Sequence, residues 1–81
     1  MDKLKFEVIV PDWDSAIRIY EAEDALHAAE TVAEDYNKAN QMALLKESTK
    51  VIIRELGKNV FKIYEASAEE AINYSVEEIT L

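Results

Sequence analysis

His27 is the only imidazole in the chain, so any acid–base or metal chemistry that needs one must be built around it. Glu23 lies four residues before it and Glu30 three after, spacings that bring all three to one side of a helix. One imidazole with two carboxylates is at most a weak divalent-metal set. The plainer reading is a solvated helix flank, because no second imidazole exists to complete a stronger set. Nucleophilic catalysis needs a hydroxyl or thiol beside a base. There is no cysteine, no serine close to His27, and a single glycine in the whole sequence. That scarcity excludes the Gly-x-Ser-x-Gly elbow and the glycine-rich loops that cradle phosphates or dinucleotides. Asp12-Trp13-Asp14 opens like a calcium loop but continues with Ala16 and Ile17, where an oxygen ligand and then glycine are required. Carboxylate pairs are abundant, yet they fall at helix caps and on polar faces. The expectation is a protein that is not an enzyme and has no catalytic residue, cofactor or metal.

The elements that must position these residues follow from hydrophobic periodicity. Leu4, Phe6, Val8 and Val10 alternate with Lys3, Lys5 and Glu7, the pattern of a strand with one buried face. Pro11 ends it, and Asp12, Asp14 and Ser15 supply turn chemistry. A second strand resumes at 16–22, with Ile17 and Ile19 on one face and Arg18 and Tyr20 on the other. Ala25, Ala28, Ala29, Val32, Tyr36 and Ala39 recur at helical spacing behind Asp24 as N-cap, with acids expected in the first turn. This predicts one long helix ending between residues 40 and 47. Residues 49–56 and 60–66 read as strands joined by a Gly57-Lys58-Asn59 turn. Ser67 and Glu70 then form a capping box that predicts a short second helix. Val76, Ile79 and Thr80 favour a closing strand.

The fold expected is α+β: a two-layer sandwich whose mainly antiparallel sheet of four or five strands, in the order β-β-α-β-β-α-β, is covered on one face by one long and one short helix. Residues 1–81 form a single small acidic domain. The segment Ile-Tyr-Glu-Ala occurs at 19–22 and again at 63–66. Since the runs that follow differ in length, the repeat reads as two strands with similar roles rather than as a proven duplication, the alternative being a pseudo-twofold pair of β-hairpin-plus-helix halves.

Composition narrows the class further. Hydrophobic residues make up 49% and charged residues 32% of the 81, a globular profile. The absence of cysteine suits a reducing compartment. No stretch reads as a leader or a membrane span, so a cytoplasmic location is expected. The net charge of −8 opposes non-specific binding to phosphate backbones and anionic membranes.

Charge is unevenly distributed. Residues 21–37 carry −6 and residues 63–81 carry −5, while residues 38–62 carry +4. If the third strand buries Val51 and Ile53 and the fourth buries Phe61 and Ile63, then Lys50, Arg54 and Lys62 point outward with Lys58 at the turn. The hairpin becomes basic and the helical layer acidic. Solvated faces with weak cross-strand pairs explain part of this pattern.

The leading expectation is a protein-binding domain whose acidic helical face, Glu23, Asp24, Glu30, Glu34 and Asp35, engages or inhibits a basic partner. Carboxylates can stand in for phosphates before Arg and Lys, as in phage-type or regulatory nucleic-acid mimics. Trp13 is either a lid over the end of the sheet or an anchor for that partner. Two other readings are a structural homo-oligomer, assembled through an edge strand or through outward Ile9, Tyr20, Ile52 and Tyr64, and weak nucleic-acid binding by the basic 46–62 hairpin.

Overall fold

The computed structural model describes residues 3–14, 16–70 and 73–79. Strands β1 (Leu4–Ile9) and β2 (Arg18–Ala22) precede helix α1 (Ala25–Ala39). A short 3-10 helix (Ala43–Leu45), then β3 (Thr49–Glu55), β4 (Phe61–Glu70) and β5 (Asn73–Ile79) complete the described elements. The five described strands form one antiparallel sheet in the order β2-β1-β3-β4-β5. The α+β class, the antiparallel sheet and the presence of a long helix are as the sequence predicts, but α1 ends at Ala39, short of the predicted 40–47, where Asn40 caps it.

The second helix is not. Ser67–Glu70 continues β4, with Ser67 opposite Ser75 and Ala68 opposite Tyr74. The described order is therefore β-β-α-β-β-β, apart from the 3-10 turn. A capping box is a local signal, and here the registered β4–β5 ladder from Ile63↔Ile79 to Glu70↔Asn73 satisfies the same backbone groups. A β-bulge between Ala68 and Glu70 shifts the register near the ladder's end. Ser15 of the first turn, Ala71 and Ile72 of the expected short helix, and Thr80 and Leu81 of the closing strand lie outside the described residues.

One face of the sheet is covered by α1. Phe6, Val8, Val10, Val51, Ile53, Tyr64 and Ala66 meet Ala28, Ala29, Val32, Ala33 and Tyr36 in one buried cluster. Alanines on the helix leave room for the larger strand side chains. Asp24 caps α1 by accepting a hydrogen bond from the His27 backbone N–H at 2.8 Å. The first turn itself holds no acid, so Asp24 alone faces the positive end of the dipole from the cap. Beyond Asn40, Gln41 and Met42 both take positive φ, 56° and 61°, and reverse the chain into the 3-10 turn. Gly57, at φ +88°, lets the β3–β4 hairpin turn.

The two Ile-Tyr-Glu-Ala segments do play similar parts. In β2 and in β4 the Tyr and Ala face α1, while the Ile and Glu face away. This corrects two assignments. Tyr20 and Tyr64 are not on the outer face, and β4 buries Tyr64 and Ala66 rather than Phe61 and Ile63. Phe61 is 56% exposed. In β4 both faces are apolar, so alternation alone does not decide which is inward; the pairings Val51↔Tyr64 and Ile52↔Ile63 do.

Candidate functional site

The acidic residues singled out in the sequence separate into three locations. Glu30 and Glu34 are one helical turn apart on the exposed side of α1. Asp24 sits at the α1 N-terminus, where its Oδ1 pairs with His27 Nδ1 at 2.8 Å, and Glu23 precedes it. His27 is thus engaged by Asp24 rather than held between Glu23 and Glu30. That hydrogen bond holds the His27 ring above the ordinary histidine range. Asp24 is held below the ordinary carboxylate range, chiefly by the His27 backbone N–H and then by its ring.

Asp35 lies on the β2 side of α1, where it accepts a 2.8 Å hydrogen bond from the Tyr20 hydroxyl. Partial burial, reinforced by that acceptor, pushes the Tyr20 phenol up to about 12. Trp13 joins this flank. The Arg18 guanidinium lies 3.7 Å from its ring centre, and the Tyr36 ring packs against it in a T-shaped arrangement with centroids 5.7 Å apart. Arg18 also forms two hydrogen bonds to the Asp14 carboxylate, which they hold low in pKa. Trp13 therefore packs against the core at the C-terminal end of α1, about a helix length from Glu23 and Asp24.

Glu30 and Glu34 gain a companion that the sequence placed on the expected second helix. Because β4 continues through Ser67–Glu70 and bulges between Ala68 and Glu70, Glu69 lies on the flank of α1 rather than on the face of Glu65 and Ser67. A groove of about 550 Å³ opens there, lined by His27, Glu30, Thr31 and Glu34 of α1, Glu69 of β4, and Asn73 and Tyr74 of β5. Among the described residues, three carboxylates and no Lys or Arg line it. Lys38 stands at one end, donating to Glu34 at 2.7 Å, and this contact raises the lysine's pKa. Among the described residues no group of His, Cys, Asp and Glu has a metal-binding arrangement.

Buried Asn37 fixes the position of this groove. Its Oδ1 accepts from the Leu44 backbone N–H at 3.0 Å, and its Nδ2 donates to the Tyr74 hydroxyl at 3.3 Å. α1 is thereby tied both to the 3-10 turn and to β5. The position was missed because a polar residue interrupts the apolar stripe. Its placement beside Ala33 and Tyr36 on the helical wheel was the available signal.

Comparison with known proteins finds no matching family model, no similar curated protein and no similar solved structure.

The basic hairpin does not assemble. Lys50 stands opposite Glu65 in the β3–β4 ladder, and Arg54 pairs with Glu7 on β1. Lys62 points to the α1 side of the sheet, 3.9 Å from Glu78. With β4 facing the other way from the expectation, Lys50 and Arg54 lie on one face of the sheet, Lys62 on the other, and Lys58 at the turn. Among the described residues no helix is long and apolar enough to cross a membrane.

Proposed function

We propose that this chain is a non-catalytic protein-interaction domain that receives basic side chains of a partner protein in the groove between α1 and the β4–β5 hairpin. The observation that carries this reading is the convergence of Glu30, Glu34 and Glu69 on one concave surface with no Lys or Arg in its lining. Three separate carboxylates suit arginine, whose planar fork forms charge-assisted pairs with each. A partner that ordinarily grips phosphates is the type such a surface inhibits, the carboxylates standing where phosphates would. Glu23 and Asp24 extend the negative field along the helix and steer the approach. Asp35 and Trp13, each engaged within the fold, support α1 rather than contact the partner.

The test is affinity capture from lysate by the tagged wild-type protein and by a Glu30→Gln/Glu34→Gln/Glu69→Gln variant. The wild type retains a basic protein at low salt and releases it at about 0.5 M salt, where charges are screened beyond a few ångströms. The variant loses at least about tenfold of that recovery, because charge-assisted hydrogen bonds are removed. Undiminished capture by the variant contradicts the reading.

A further inference from the structure

Each of the five described strands sends an isoleucine to the face that α1 leaves uncovered. The register sets Ile9 opposite Ile52, Ile52 opposite Ile63, and Ile63 opposite Ile79, an unbroken row across four strands. At the β2 end, Ile17 and Ile19 are 59% and 54% exposed. A second row, Ile19–Glu7–Arg54–Phe61, runs beside the first. An antiparallel sheet that keeps one face in water normally carries polar side chains there. Here a row of isoleucines crosses that face beside the Arg54–Glu7 ion pair.

We propose that this face packs against the same face of a second copy of the chain, giving a two-sheet sandwich with an α1 helix on each outer side. Three observations select a second copy as the occupant.

The first is area. Five strands about 4.8 Å apart and seven residues of about 3.3 Å each cover roughly 550 Å². Two such faces bury about 1,100 Å² in total, above the roughly 1,000 Å² that a specific interface needs.

The second is charge. The rows around the isoleucines carry Lys5, Lys50 and Arg54 against Glu7, Glu21, Glu65 and Glu77. Their balance is −1 in a chain of net charge −8, so two copies repel little across this face. The central ion pair, Arg54 with Glu7, is already largely withdrawn from water, with side-chain exposures of 29% and 21%. Covering it therefore adds little desolvation. Face-to-face packing also holds the two acidic helices on opposite outer surfaces, well beyond a Debye length of about 8 Å.

The third is that the sheet edges are poor alternatives. Edge strand β5 carries Glu77 and Glu78 on its two faces, and β2 is only five residues long. A row of like side chains that meets itself about a twofold axis is the isologous pattern of a homodimer. Sheets packed in this way lie about 10 Å apart, filled by the two isoleucine rows. Where the groove reading also holds, the dimer offers a partner two acidic grooves and gains by avidity.

Sedimentation equilibrium and native mass spectrometry over a range of concentrations test the proposal. The wild type should give twice the 9.2 kDa monomer mass, with a dimer that persists or tightens as salt rises. Capture through the acidic groove weakens with salt, so failure of one reading is distinguishable from failure of the other. Ile52→Lys/Ile63→Lys should raise the dimer dissociation constant at least about 100-fold, because lysines are buried without partners. If circular dichroism shows that variant unfolded, Ile52→Thr/Ile63→Thr, which keeps β-branched side chains, should also weaken the dimer. Glu30→Gln/Glu34→Gln should leave the mass unchanged. A monomer at every concentration up to about 1 mM, a range covering weak association, overturns the proposal. So does a dimer that survives the folded isoleucine variants.

Discussion

At the start of α1, Asp24 serves two groups of His27: the backbone N–H that it caps and the ring that it holds. The ring's pKa is raised by the Asp24 hydrogen bond, with smaller contributions from the Glu23 and Glu30 charges. The folded state therefore binds the His27 proton more tightly than the unfolded state. That stabilisation is complete below the unfolded value of about 6.5 and fades as pH rises through the folded value. Asp24 behaves in the mirror sense. Its lowered pKa stabilises the fold above the unfolded carboxylate value of about 3.9 and is lost as pH falls through the folded value. Both contributions coincide between about pH 4 and 6.5. In denaturation experiments the margin of wild type over His27→Gln should be larger at about pH 5.5 than at about pH 8.5. An equal margin at the two pH values contradicts this account of the pair. Asp24 was legible in the sequence as a cap, because capping depends on residue type and position alone. The ring contact was not, since sequence spacing favours Glu23 and Glu30 as neighbours equally well.

At the scale of elements, the strands and the long helix were legible wherever one face is apolar and the other polar, as in β1 and α1. β4 was not, because Phe61 and Ile63 are as apolar as Tyr64 and Ala66, and only pairing with β3 decides between the faces. Ser67–Glu70 read as a helix start because a capping box needs just four residues, whereas the β5 partner that overrides it lies beyond the turn. The β-bulge between Ala68 and Glu70 sets Glu69 on the flank of α1 and completes the groove. Asn37 holds this arrangement together across α1, the 3-10 turn and β5. Asn37→Ala should destabilise the fold by about 1–3 kcal/mol, since it strands the buried Leu44 N–H and removes a link to Tyr74. Urea denaturation measures the loss, and a change below about 0.5 kcal/mol, the size typical of an ordinary surface substitution, contradicts the linking role.

The two sides of the molecule differ in chemistry, although Glu7, Glu21, Glu65 and Glu77 share the isoleucine side. Carboxylates gather on and beside α1, and isoleucines gather on the opposite side of the sheet. The acidic character of residues 21–37 was readable from composition, and so was the positive balance of residues 38–62. The fate of those cations was not, because cross-strand pairing and the facing of β4 divide them among Glu65, Glu7 and Glu78. The row of isoleucines was hidden for the same reason, since a row across a sheet exists only once the register is known. The surface proposed to receive a partner is the groove that holds Glu30, Glu34 and Glu69. The most direct measurement of its role is an amide chemical-shift titration of the full chain with an octa-arginine peptide, at low salt and again at physiological salt. The account predicts that the largest shifts fall on His27, Glu30, Thr31, Glu34, Glu69, Asn73 and Tyr74, and that they shrink as salt rises. Shifts spread evenly over all the acidic residues, or centred on Glu47, Glu65 and Glu77, would contradict it.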